Sequence, residues 1–469
     1  MQRRGDFVVE SRALLHLAGP IVLSQLAQVS MGLVDAVMSG HASSFDQAVV
    51  GLGVALWVPV FICLMSVVQA VSPLVAHQFG AGDHEGVVRD TREGLWLAAW
   101  TSVLPLGLVP LAARLLGAAG IDAHLTGRTT LFLWGICIGL PAALLYRALS
   151  FYSASINHTR PVMVLSWLGV AVNGVLNWIL IYGHFGFPAM GGAGCGWATG
   201  VGMWISLAAL AVWTAKAPAY RDWYIWRSWH GPRWAAQKRL LRLGLPMGGA
   251  GLAEVAAFCS VAVLVGRFGD AQIAANQVAL NFSSLIFMLP MGLSVAISIR
   301  VGQALGAGEP LMARRLAWRG MSLGWSIAVL AIVPIVLGRH VVAAIYSDDA
   351  VVRGIAANLL LFAAVWQVFD ATQVCAIGAL RGYKVTLPPM IFMAGAFWLV
   401  GIPVGTWLAY EGGPMGHPLQ VYGFWVGLVI GLVLVSVALV LALRRIAGAA
   451  RALARPGAIG AEVGGCRES

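Results

Sequence analysis

Three acidic residues, Asp35, Glu254 and Asp370, stand inside long apolar stretches of the chain. A charged side chain at the centre of a bilayer costs about 2.5–3.5 kcal/mol on insertion scales, so such residues face a cavity or a partner and mark ion or proton paths. No Lys or Arg falls deep in the same stretches, since Arg147 and Arg300 lie toward their ends. Asp35, Glu254 and Asp370 are therefore expected to hold an inorganic cation such as Na⁺, or a proton. The rest of the 19 Asp and Glu residues fall in loops or tails on this reading.

Asp35 has polar company. Asn173 and Asn177, four residues apart, share a face of one expected helix, and Thr199 lies in the next. A carboxylate, two amide carbonyls and a hydroxyl are hard oxygen donors, suited to Na⁺ as well as to Ca²⁺ or Mg²⁺.

Only membrane helices can position these groups. Of 469 residues, 59% are hydrophobic and 10% charged, with a mean hydropathy of +0.82, whereas a soluble domain carries about 25% charged residues. A spanning helix takes about 20 apolar residues. Segments of that length fall near 13–39, 48–79, 94–116, 128–152, 161–183, 192–215, 241–266, 271–300, 317–338, 352–380, 387–410 and 420–443. The first is too long for a cleaved signal, whose apolar region runs to roughly 7–15 residues. The expected class is an all-α integral membrane protein of twelve spans.

With both ends of the chain in the cytoplasm, all of the 30 Lys and Arg residues except Arg114, Arg128, Arg267, Arg339 and Arg353 fall on the cytoplasmic side, as the positive-inside rule requires. The densest basic run, between Lys216 and Arg242, also holds Trp223, Trp226, Trp229 and Trp234. It reads as a linker lying on anionic headgroups. The net charge of +11 thus points to the membrane surface and to no nucleic acid.

The chain also repeats itself. At an offset of 226, Leu17 and Pro20 fall on Leu243 and Pro246, and Gly80-Ala81-Gly82-Asp83 on Gly306-Ala307-Gly308-Glu309. At 227, Thr159, Pro161 and Met163 fall on Thr386, Pro388 and Met390. Two six-span lobes follow, residues 1–215 and 241–446, joined by a cytoplasmic linker at 216–240 and followed by a tail at 447–469. An even number of spans per lobe makes them parallel repeats about an axis along the membrane normal, expected to rock against each other in alternating access. The polar chemistry differs between lobes: Asp35 maps onto Val261, Glu254 onto Gln28 and Asp370 onto Ala143, while Asn173 and Asn177 map onto Val400 and Val404.

Several chemistries are excluded or discounted. No Walker motif is present to bind ATP, the histidines form no metal or nucleophile cluster, and Cys63, Cys137, Cys195, Cys259, Cys375 and Cys466 read as inert packing residues. Gly320-Met321-Ser322-Leu323-Gly324 matches a hydrolase elbow but sits in an expected span, where that strand-to-helix turn cannot form. The Gly-Ala-Gly repeats read as helix caps. The ladders Gly192, Gly196, Gly200 and Gly423, Gly427, Gly431 read as packing within one chain rather than between two, so a monomer is expected.

With these residues in place the chain resembles the multidrug and toxic compound extrusion (MATE) family, in its NorM-like branch. The likeness runs from Leu17-Ala18-Gly19-Pro20 and Val34-Asp35, through Gln78-Phe79-Gly80-Ala81-Gly82, to Ala379-Leu380-Arg381-Gly382-Tyr383-Lys384. It implies a V-shaped, two-lobed, twelve-helix transporter of a bacterial inner membrane that exports hydrophobic cationic drugs or dyes by Na⁺ or H⁺ antiport, with no other cofactor. It implies a first cation site at Asp35, Asn173, Asn177 and Thr199 and a second at Glu254 and Asp370. Gln277, Asp348, Asp349, Trp366 and Asp370 would then meet the substrate, Trp366 standing where some relatives have a tyrosine. Two alternatives remain: a lipid-linked glycan flippase of the same superfamily, which needs basic residues in its cavity, and a membrane-embedded enzyme, which needs a metal or a nucleophile with its base.

Overall fold

The computed structural model describes residues 2–227 and 229–453, and all regular structure among them is helical. Twelve segments are long and apolar enough to cross a membrane: α1 (Glu10–Ala42), α2 (Ser44–Gly80), α3 (His84–Ala118), α4 (Ala123–Ser155), α5 (Arg160–Tyr182), α6 (Gly192–Lys216), α7 (Trp234–Phe268), α8 (Asp270–Gly306), α9 (Pro310–Tyr346), α10 (Ala350–Gly382), α11 (Leu387–Tyr410) and α12 (Val421–Gly448). The number agrees with the sequence reading, and most segments outrun their apolar cores. Polar residues beyond the cores extend the helices by capping them. Asp83 accepts the Gly86 amide at 2.8 Å ahead of α3, and Asp122 accepts those of His124 and Leu125 at 2.9 and 3.1 Å ahead of α4. Each cap satisfies amides that the first turn leaves open and sets negative charge at the positive end of the helix dipole. Cys466 and the tail from residue 454 lie outside the described residues.

Two compact units of packing divide the chain. One comprises Gly19–Val75 and Asp83–Leu252, and the other the stretch through Ala18, Ala76–Gly82 and the chain from Ala253 onward. The repeat read from sequence is cut by this division. The start of α1 and the end of α2 pack with second-half helices, and α7 as far as Leu252 packs with first-half ones.

The first unit is built around Val49, Val50, Phe132, Leu133, Ile136, Ile181 and Cys195. Its glycine ladder on α6 lies against α4: a Cβ on Gly196 would stand 2.3 Å from the Phe132 carbonyl oxygen, and one on Gly200 2.2 Å from that of Gly135. Ladder and partner are thus spent on packing within the chain. The basic linker is tied to the helices beside it rather than lying loose on the surface. Arg92 donates to the Ile225 carbonyl at 2.7 Å, Trp96 to that of His230 at 3.0 Å and the Tyr152 hydroxyl to that of Trp223 at 2.6 Å.

Two acids that the sequence placed in a loop sit instead on α3 and are buried, Asp90 to 1% exposure and Glu93 to 5%. Asp90 pairs with Arg89 and Arg239, and Glu93 accepts from Gln237 at 2.6 Å and from the Arg233 amide at 3.1 Å. The polar end of α3 falls below any hydropathy threshold while remaining helical, which is why the sequence put these residues in a loop.

In the second unit, α2 and α8 meet at their ends through a reciprocal pair of glycines. A Cβ on Gly80 would lie 2.0 Å from the Gln303 carbonyl oxygen, and one on Gly306 1.9 Å from that of His77. These four residues are repeat mates, so the contact carries the internal symmetry. The capping role falls to Gly82 and Gly308, whose φ of +69° and +75° is left-handed and costs glycine little. Glu10 and Arg319 form an ion pair nearby in sequence to the start of α1 and α9. In α11 the residues Ala396–Gly401 form a π-helical turn, where its repeat mate α5 is α-helical throughout.

Gly306→Val should overpack the α2–α8 contact at a cost of about 1–3 kcal/mol and lower the melting temperature of the purified protein. Gly107→Ala, with nothing within 4 Å of the added carbon, should leave it unchanged. Equal melting of both variants would contradict the close approach.

Candidate functional site

Asp35 on α1 meets α5 and α6 within the first unit. Asn177 donates through Nδ2 to Asp35 Oδ1 at 2.6 Å and to Asn173 Oδ1 at 3.1 Å. Asn173 donates in turn to the Thr199 hydroxyl at 3.3 Å, and that hydroxyl to Asp35 Oδ2 at a long 3.4 Å. All four residues named from the sequence are thus brought into one ring. Asn173 and Asn177 are wholly buried and Thr199 is 7% exposed. The Cys195 thiol also acts on Asp35. Cys195 precedes Thr199 by one helical turn, and that spacing was the signal that it belongs to the site rather than to inert packing.

The ring leaves one atom over. Asn177 Oδ1 is buried and has no hydrogen-bond partner among the described residues. A buried amide oxygen without a donor is costly, and here it stands in the residue that bridges Asp35 to Asn173. The oxygen-rich donor set therefore fits a hard cation or a proton-carrying group.

In the second unit, the negative charge of Glu254 on α7 reaches Asp370 on α10. Gln373, one turn beyond Asp370, donates through Nε2 to Glu254 Oε1 at 3.1 Å. Its own Oε1 is again buried without a partner among the described residues. Gln373 went unnoticed in the sequence because only acids and the Asp35 neighbours were followed into the spans; its place one turn from Asp370 was the available signal. Asp370 is 3% exposed and is acted on by the Trp366 indole, one turn before it on the same helix face. Trp366 also packs against Phe258 and Trp425, with ring centroids 5.5 and 6.3 Å away.

A basic residue also bears on these acids from the end of a span. The positive charge of Arg381, at the end of α10, acts on Glu254. The sequence placed Arg381 at the edge of a span, but two turns of helix separate it from Gln373, near enough for an electrostatic interaction in a low-dielectric interior.

Of the other expected site residues, two make their hydrogen bonds elsewhere and a third lies in an exposed turn. Gln277 on α8 is exposed and donates to Asn281 at 3.1 Å. Asp349 caps α10, accepting the amides of Val351 and Val352 at 2.7 and 3.4 Å, and Asp348 precedes it in the exposed turn. Helix rise alone separates Asp349 from Asp370 by roughly 30 Å. Among the described residues, no three His, Cys, Asp or Glu side chains gather as a metal cluster.

Comparison with known proteins agrees with this architecture. The MatE family model matches residues 20–179 and again 246–407, two copies whose starts are separated by the offset read from the sequence. The chain is 41% identical to multidrug resistance protein PmpM of Pseudomonas aeruginosa, over 93% of this chain and 91% of that one. It is 39% identical to the probable multidrug resistance protein NorM of Chromobacterium violaceum, over 94% and 95%. Its fold is similar to that of the eukaryotic MATE transporter AtDTX14, with a TM-score of 0.84 at 20% identity, covering 95% of this chain and 99% of that one. A doubled family domain, carried on twelve membrane-spanning helices and shared with relatives along nearly the whole length, makes this chain a member of the MatE family, a multi-pass membrane transporter and not an enzyme.

Proposed function

We propose that the protein is a multidrug efflux antiporter that exports hydrophobic organic cations in exchange for Na⁺ or H⁺. Multidrug efflux is supported by its likeness to the multidrug resistance protein PmpM and the probable multidrug resistance protein NorM. The cationic substrate and the antiport rest on one observation: in each unit a carboxylate stands beside a buried amide oxygen left without a donor among the described residues, at Asn177 and at Gln373. Such sites favour positive charge, and either an inorganic ion or the head of an organic cation can supply it.

In the first unit, Asp35 supplies the charge and Asn173, Asn177 and Thr199 the remaining oxygens for a coupling Na⁺ or H⁺. In the second, Glu254 and Asp370 supply the charge, with Gln373 orienting Glu254. Trp366 and Phe258 offer aromatic faces that attract an organic cation. Gln277, Asp348 and Asp349 would contact substrate on its way rather than hold it at the acids. Substrate and coupling ion then compete for the same buried charge, and the competition is reciprocal by linkage. On the distribution of Lys and Arg, both termini face the cytoplasm of a bacterial inner membrane. The protein acts as a monomer, its glycine ladders being engaged within the chain.

In proteoliposomes, an imposed Na⁺ or pH gradient should accelerate ethidium efflux. Transport indifferent to both gradients would defeat the antiport reading. Asp35→Asn and Asp370→Asn should each slow gradient-driven efflux at least about tenfold, since hydrogen bonds to a charged group are worth about 1.5–3 kcal/mol. Insertion and melting temperature should stay near wild type. Wild-type efflux in both variants would mean that these acids are structural.

A further inference from the structure

Where α9 begins and α12 ends, a cavity of about 480 Å³ is lined by Arg314, Trp318 and Arg444. Its size is that of small-ligand sites, which run to about 300–1,000 Å³. Arg314 and Trp318 are one turn apart on α9 and share a face. The Arg444 guanidinium stands 5.8 Å from the centroid of the Trp318 ring, so α9 and α12 close on the same space.

Among the described residues, these two arginines form no ion pair. The ion pairs among the described residues join Arg89 and Arg239 to Asp90, and Arg319 to Glu10, and none engages Arg314 or Arg444. The charge of Arg314 also reaches the hydroxyl of Tyr383, which burial pushes up to about 12 while Arg314 pulls it down. That hydroxyl is buried and has no hydrogen-bond partner among the described residues. Two unpaired guanidinium forks beside an indole suit a phosphate, which arginine holds through paired N–H donors.

An apolar track leads to the cavity. On α12 the exposed side chains Ile430, Leu434, Val437 and Leu441 recur at helical spacing, and Arg444 continues the same face one turn further on. An acyl chain lying along that stripe brings its headgroup to Arg444. A free anion has no use for such a track. We propose that the Arg314–Trp318–Arg444 cavity binds the phosphate headgroup of an anionic membrane phospholipid, whose acyl chain lies along α12. Basic pockets between membrane helices are suited to such lipids.

The test is thermal unfolding of the full chain in nanodiscs of phosphatidylcholine, with and without phosphatidylglycerol. Phosphatidylglycerol should raise the wild-type melting temperature by about 3 °C or more, as a ligand selective for the folded state does. Arg314→Gln/Arg444→Gln should abolish that shift, and Arg314→Lys/Arg444→Lys should retain part of it. Arg315→Gln/Arg445→Gln removes the same net charge from exposed neighbours and should leave the shift intact. No shift in the wild type would overturn the proposal, as would equal loss in the two glutamine variants. A shift reproduced in phosphatidylcholine by millimolar inorganic phosphate would identify a free-anion site and equally overturn the lipid assignment.

Discussion

A carboxylate held in hydrocarbon demands positive charge, and the protein presents that demand in two different chemical settings. In one, Asp35 is ringed by neutral donors from α5 and α6 that leave a buried amide oxygen without a partner among the described residues. In the other, the charge of Glu254 reaches Asp370, while Gln373 and Arg381 act on Glu254 and Trp366 on Asp370. The long helices, their caps and their glycine contacts serve to hold these groups in register. A polar group in such a place strengthens its interactions and raises the cost of leaving any of them unmade. That cost is why the orphaned oxygens of Asn177 and Gln373 carry the functional reading.

The duplication explains how one scaffold supports both settings. Reciprocal packing of Gly80 and Gly306 preserves the symmetry of the ancestral unit at the helix ends, where backbone meets backbone and only glycine fits. In the spans the symmetry is lost. Where α5 presents Asn173 and Asn177, α11 presents Val400 and Val404, and Val400 lies within the π-helical turn Ala396–Gly401. Such turns re-aim side chains at functional sites, and here one coincides with the loss of the asparagine face. Close packing also differs between the halves, with Gly196 against α4 in the first but Gly423 and Gly427 against α11 in the second.

Much of this was legible in the residues. Spans announce themselves because hydrocarbon leaves backbone groups no partner but one another, and Asp35, Asn173, Asn177 and Thr199 were recoverable because charge and helical spacing both pointed to them. Gln373 and Cys195 were harder to see: a neutral side chain in a span carries no charge to single it out, and its nearness to an acid gives it meaning. Asp90 and Glu93 erred in the opposite direction. Their charge suggested a loop, but partners distant in sequence, Arg239 and Gln237, hold them buried on a helix. Trp366 took its meaning from contact with Asp370, which periodicity suggests and only packing decides.

The central claim is that an organic cation and the coupling ion exclude each other at these buried acids. Calorimetric titration of tetraphenylphosphonium into the purified protein, across pH and Na⁺ concentration, tests it most directly. The account predicts that affinity falls as Na⁺ rises or as pH falls, by up to about tenfold per pH unit where one proton is exchanged, and that Asp370→Asn flattens this dependence. Binding of undiminished strength at every pH and every Na⁺ concentration would contradict it.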